Sequence, residues 1–167
     1  MADAGRPPPV PTFARMIARP SWLVSMSLGL GLCRPWPGTW GSAGGFALFA
    51  ALQFLPVWAR IVAYVAIILV AVAACTRTGR DLGETDHGAM VIDETVGMSL
   101  TLEAVAREPL LWLPAFLLFR FLDIGKPWPI RLAGDALPGG WGVMADDLAA
   151  ALVAAAMLSA VVSVFFS

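Results

Sequence analysis

The sequence predicts an all-α fold: a polytopic integral membrane helical bundle of about four to five membrane helices, with its polar loops on the cytoplasmic face. Three observations predict it. Of the 167 residues, 59 % are hydrophobic and 14 % charged, with a mean hydropathy of +0.77. A soluble domain is usually about 45–50 % apolar. Apolar runs close to membrane-helix length recur along the chain, separated by polar returns. The basic residues also fall unevenly between alternate returns, as the positive-inside rule describes.

The elements follow in order. Residues 1–20, MADAGRPPPVPTFARMIARP, are Pro-rich and expected to be mobile; residues 21–167 form one membrane-embedded domain, as the length suggests. Residues 21–33, SWLVSMSLGLGLC, are too short to span and read as an interfacial or re-entrant segment. The RPWPGTWGS loop at 34–42 holds two prolines and two glycines, which force turns. Its backbone, with Thr39 and Ser42, offers donors to an anion at a helix start; equally, it is a plain helix cap with a tight entry. Gly38–Pro56 and Val57–Thr76 then make a helical hairpin, with Arg60 snorkelling from the far interface. Residues 77–88 form a polar return. Ala89–Val105 is a helix interrupted by Asp93 and Glu94, and Arg107, Glu108 and Pro109 end it. Leu110–Leu122 runs back, 123–147 is a second polar loop, and Leu148–Phe166 is an uncharged final span.

With five helices, Arg6, Arg15, Arg19, Arg34, Arg77, Arg80, Arg120, Lys126 and Arg131 share one side, and only Arg60 and Arg107 the other. That asymmetry puts the N-terminus in the cytoplasm. It also brings 34–42, 77–94 and 120–147 to one face. The net charge of −1 implies no pull towards nucleic acid. Cys33 and Cys75 lack paired spacing and imply neither a disulfide framework nor a thiolate zinc site.

Charged groups among membrane-length apolar runs are expensive, so they mark a functional site. The densest set is DLGETDHGAMVIDETVG at 81–97. Asp86 and Asp93 lie seven apart and share a face if the helix begins early; Glu94 sits about 100° round from Asp93. Such acids suit a hard divalent cation, which takes one or two carboxylates plus substrate phosphate. The alternative is a structural network of Asp93 and Glu94 with Arg80 or Arg120. His87, the only histidine, adjoins Asp86 and is either a structural donor or a catalytic group. In FRFLDIGKPWPIR, Arg120, Asp123 and Lys126 step by three, and a helix ending at Pro127 would stack them. With Arg131 they supply phosphate donors, or they are cations suited to a helix C-terminus. Asp146 and Asp147 open the last helix, either as caps or as further metal ligands.

LGLGLCRPWPGTWGS, DLGETDHGAMVIDETVG, FRFLDIGKPWPIR and GGWGVMADD together resemble the phosphatidylglycerophosphatase A family of bacterial membrane lipid phosphatases. The resemblance covers most of the chain from Gly29 to Asp147. It implies a magnesium-dependent phosphomonoesterase of the bacterial inner membrane, active on its cytoplasmic side. Phosphatidylglycerophosphate would lose its terminal phosphate to give phosphatidylglycerol, a step of phospholipid biosynthesis. By motif match Asp81, Asp86, Asp93, Glu94, Arg120, Asp123, Lys126, Arg131, Asp146 and Asp147 fall on family positions. Catalytic roles are expected for Asp86, His87, Asp93, Glu94 and Asp123. Phosphate binding is expected for Arg120, Lys126, Arg131, Thr39 and Ser42, and Mg2+ ligation for Asp86, Asp93, Glu94, Asp146 and Asp147. Two departures stand out. Where the family usually has Asp after the final motif Arg, this chain has Gly134 and then Asp135. Before PGT it has Cys33 and Arg34 rather than the usual Ser.

Direct attack by water is expected, since the DxDx[TV] string of aspartyl-phosphate enzymes is absent. A CDP-alcohol-type transferase would need a DG–AR–G–D–D spacing that is also absent. A membrane cation carrier or subunit would place acids near mid-span, whereas most here lie towards one end.

Overall fold

The computed structural model describes residues 10–165. Among them the fold is all-α, with no strand. The helices are α1 (Phe13–Ile17), α2 (Pro20–Ser25), α3 (Pro37–Leu52), α4 (Val57–Leu82), α5 (Ile92–Glu103), α6 (Trp112–Gly125), α7 (Trp128–Asp135) and α8 (Gly140–Phe165). Short 3-10 turns fill Ser27–Leu32 and Pro109–Leu111.

α5 is the axle of the bundle. It packs against α3, α8, α6 and α4, and eight of its twelve residues are buried, polar ones among them. Its contact with α3 is backbone-close. A Cβ on Gly45 would stand 2.7 Å from Met98 Cβ and 2.8 Å from the Thr95 carbonyl oxygen, so only glycine lets the helices meet here. Thr95 Oγ1 reaches the Gly41 carbonyl at 2.8 Å and Ser27 Oγ at 2.8 Å. Phe49, Met98, Leu102, Phe119, Ala151 and Leu158 form the apolar core around the same axle, and Trp112 meets Phe49 edge-on at 5.8 Å.

At the end of α5 away from Asp93, a polar network ties three helices. Arg60 pairs with Glu103 at 3.3 Å. Tyr64 Oη lies 2.7 Å from Ser99 Oγ and 3.2 Å from Glu103. Gln53 donates to Glu103 at 3.2 Å. Arg60 therefore has a carboxylate partner rather than only an interface to snorkel towards.

Among the described residues two helices, α4 and α8, are long and apolar enough to cross a membrane, each with 26 residues and a mean hydropathy of 2.4 over its best window. Only 22 % of each window is buried inside the protein, so the remainder is available to lipid. This corrects the expected four to five spans. α3, α5 and α6 have 16, 12 and 14 residues, or about 18–24 Å at about 1.5 Å per residue, short of the roughly 30 Å hydrocarbon core. The cause is local: the Gln53–Pro56 turn stops α3, α5 starts only at Ile92, and the Pro109 turn delays α6 to Trp112.

Two further expectations change. Of the N-terminal stretch, 1–9 lies outside the described residues, but Phe13–Ile17 is helical, capped by the Thr12 side chain, with Met16 fully buried. The second polar loop contains α7, whose Ile130 is buried while Trp128 and Leu132 are exposed.

Candidate active site

α5 begins at Ile92, so Asp93 and Glu94 stand in its first turn, where a helix dipole favours acids. α8 begins at Gly140 rather than at Asp146, so Asp146 and Asp147 lie about two turns inside it and do not cap it. α8 then crosses α5 at the level of that first turn. Carboxylate oxygens of Asp93, Glu94 and Asp147 lie within 4.8 Å of one another. Asp93 is 6 % exposed and Asp147 2 %.

Three acids so close together, two of them buried and one partly buried, repel one another. Burial pushes Asp93 well above the usual carboxylate range, and the charge of Glu94 adds to it. Glu94 is also raised, first by burial and then by Asp147 and Asp123, against a hydrogen bond from Asp93 and the charge of Arg120. Glu94 Oε2 and Asp147 Oδ2 are buried without a hydrogen-bond partner. Buried carboxylate oxygens left unpaired are costly. A hard divalent cation takes oxygen ligands such as these, and the donor set fits one.

Arg120 stands beside the trio. Its Nη1 donates to Asp123, lies 3.3 Å from Ser42 Oγ and 4.0 Å from Glu94 Oε1. Its Nε is buried and unpartnered. Gly38 makes room for this approach: a Cβ there would come within 2.5 Å of Glu94 Oε1 and 3.1 Å of Arg120 Nη2. Sequence reasoning passed over Gly38, although the PGT string marked the place.

The other expected site residues divide. Asp86 does not share a helix face with Asp93, because the chain is in turns until α5 starts; it is exposed. It lines a cavity of 390 Å³ with Lys126, Arg131, Asp146, Asp135 and Thr85. Lys126 does not extend the stack of Arg120 and Asp123. It caps α6 in the left-handed region, φ 37°, and donates to Asp146. Burial pulls its pKa down, but the bond and charge of Asp146, with Asp147 and Asp86, outweigh this and hold it above the ordinary lysine value. Gly134 leaves space against Asp146, 3.2 Å from where its Cβ would sit.

Helix α3 starts at Pro37, so Thr39 and Ser42 lie within it rather than in a loop before it. Ser42 Oγ donates to the Gly38 carbonyl at 2.9 Å and meets Arg120; Thr39, one turn earlier, is half-buried. His87 accepts the Ala89 N–H on Nδ1 at 3.1 Å and lines a separate cavity of 820 Å³ with Glu84 and Arg34. Asp81 is held by Trp22 Nε1 at 3.1 Å, Arg77 at 3.5 Å and Arg19 at 3.7 Å, a bracing role between α2 and α4. Cys33 and Cys75 are both free, one exposed and one buried.

Residues 23–162 match the family model described as Phosphatidylglycerophosphatase A. A Haemophilus influenzae protein named phosphatidylglycerophosphatase A is 39 % identical over 147 residues, 87 % of this chain and 90 % of that protein. The Escherichia coli protein of the same name is 36 % identical over 143 residues, covering 85 % and 83 %. A Bacteroides thetaiotaomicron protein, provisionally named phosphatidylinositol-3-phosphatase, is 33 % identical over 143 residues, covering 79 % and 89 %. No solved structure matches the chain. With a family model spanning most of its length and two like-named relatives above one-third identity, the chain belongs to the phosphatidylglycerophosphatase A family.

Proposed function

We propose that this protein is a magnesium-dependent lipid phosphatase of the bacterial inner membrane, its site facing the cytoplasm, that converts phosphatidylglycerophosphate to phosphatidylglycerol and inorganic phosphate in phospholipid biosynthesis. The observation that carries this reading is the largely buried trio of Asp93, Glu94 and Asp147, with two unpartnered oxygens beside Arg120. The names of the relatives supply the substrate.

Asp93, Glu94 and Asp147 would hold the cation. Bound there, magnesium would supply Lewis-acid polarisation of the phosphoryl group and a more acidic water. Arg120 would bind phosphoryl oxygens through its free Nε while Asp123 and Ser42 fix the guanidinium. Lys126 and Arg131 would hold the phosphate from the adjoining cavity, with Asp146 orienting Lys126. Asp86 lines that cavity free of any ion pair among the described residues, which suits it to accept the proton of the attacking water. The water oxygen bonds to phosphorus, the bond from phosphorus to the glycerol oxygen breaks, and that oxygen takes up a proton. Positioning and charge stabilisation are the main demands of such a transfer.

A second reading keeps the chemistry and changes the lipid: the Bacteroides relative's name points to a phosphoinositide monoester. The test is phosphate release by purified protein in detergent, from each lipid, with magnesium or with chelator. Magnesium-dependent release from phosphatidylglycerophosphate that vanishes in Asp93→Asn supports the first reading. Release from the phosphoinositide alone replaces it with the second, and a folded but silent sample refutes both.

A further inference from the structure

Beside the 390 Å³ cavity lies a second, of 620 Å³, between the end of α4 and the turn that leads into α8. Thr85 and Gly139 belong to the walls of both. Cys75, in the wall of the second, and Val143, in the wall of the first, belong to one small apolar cluster with Met90. The two are therefore neighbours across one thin partition. The second cavity is bordered by Arg80, Thr76 and Trp141, with Glu84 as its acid.

Arg80 differs from its neighbours in the last turns of α4. Arg77 is engaged by Asp81, and so is Arg19 from α1–α2. Arg80 is exposed at this cavity and has no ion-pair partner among the described residues. It stands at the end of a membrane-length helix, and half-exposed Trp141 opens the other such helix. In the membrane placement proposed above, that is headgroup depth, where tryptophan side chains gather and arginine heads reach out of the apolar layer. A lipid phosphodiester lies at the same depth. Thr76 Oγ1 already accepts the Gly140 N–H at 3.0 Å, which fixes the turn opposite Arg80.

We propose that Arg80 is a recognition residue for the diester phosphate of the lipid, held in this second cavity while the terminal phosphate occupies the neighbouring one with Lys126 and Arg131. The inference rests on the phosphatase reading for the terminal phosphate but makes its own claim, that the chain binds two phosphates of one headgroup in adjoining pockets. An arginine fork suits a singly charged diester, which offers two oxygens. The arrangement would favour lipids carrying both a diester and a monoester over those with a monoester alone.

The test is direct binding of short-chain phosphatidylglycerol, which carries only the diester, to detergent-purified wild type, Arg80→Gln and Arg80→Lys. Melting temperature serves as the folding control. Phosphatidylglycerophosphate hydrolysis by the same samples reports separately on the phosphatase reading. Loss of one charge-assisted contact should weaken phosphatidylglycerol binding by about tenfold or more in Arg80→Gln, with Arg80→Lys recovering most of it. In hydrolysis, KM should rise by a similar factor while kcat stays within about twofold. Equal binding by Arg80→Gln and wild type overturns the proposal whether or not the lipid phosphate is hydrolysed. So does a loss confined to kcat, which would place Arg80 at the reacting phosphate.

Discussion

Asp146 and Asp147 are adjacent in α8 yet face different partners. Asp146 accepts a hydrogen bond from Lys126, whereas Asp147 meets Asp93 and Glu94. The roughly 100° turn between successive helical residues separates them. One helix thus serves both the acid trio and the cavity that holds Lys126 and Arg131.

This division predicts unequal effects for two chemically identical changes. Asp147→Asn should lower kcat by about 100-fold or more, as expected for loss of several kcal/mol of transition-state stabilisation. Asp146→Asn should cost less, about tenfold, because Lys126 is loosened rather than removed. Steady-state phosphate release on both variants checks the order, and equal losses would contradict it.

The unpartnered oxygens of Glu94 and Asp147 predict a cation-dependent gain in stability. A ligand at about 100 times its Kd adds about 2.7 kcal/mol, which raises Tm by about 5–10 °C for a chain of this size. Magnesium should therefore shift the wild-type melt upwards and leave that of Asp147→Asn nearly unmoved. The readout needs no substrate, so it tests the cation site apart from catalysis.

Gly38→Ala should disturb the site without replacing a charged residue. The new Cβ would stand 2.5 Å from Glu94 Oε1, inside van der Waals contact, and 3.1 Å from Arg120 Nη2. Activity is expected to fall about tenfold or more, since small misplacements at a reacting centre are costly. Tm should change little, because Glu94 has a flexible side chain that can yield. A normal kcat would mean that Glu94 and Arg120 need not meet.

The raised pKa of Lys126 has a definite sign. A lysine whose folded pKa exceeds its unfolded value of about 10.4 stabilises the fold fully below that value, and the contribution is lost as pH rises through the folded pKa. Lys126 should therefore stay charged across the neutral and mildly alkaline range. In Asp146→Asn its main partner is gone and burial pulls the value down, so an alkaline fall in activity should appear at lower pH than in wild type. Rate profiles between pH 7 and about 10.5 would show it.

Arg60→Met offers a contrasting change at the other end of α5. It leaves Glu103 with Gln53 and Tyr64 but no cation. Both partners of the pair are partly exposed, so the expected destabilisation is modest, about 1–2 kcal/mol, with the kcat of folded protein unchanged. Thermal denaturation and activity measured on the same sample separate the two effects.

Hydropathy and local motifs by themselves determined that the chain is helical, that it is apolar on a membrane scale, and that its acids and cations gather in a few polar segments. These properties are carried by neighbouring residues and survive without a fold. The tertiary structure decided which acids meet. Asp86 and Asp93 fit a shared face on paper, but turns persist to Met90 and α5 starts at Ile92. Asp147 joins Asp93 and Glu94 only because α8 crosses α5, in a bundle where Gly45 lets α3 pack closely on that same helix. Span number was likewise decided by where turns cut the apolar runs, leaving α4 and α8 alone at full length among the described residues. Helix periodicity states which side of its own helix a residue occupies. It does not state which other helix lies against that side, because close packing of distant segments sets that pairing.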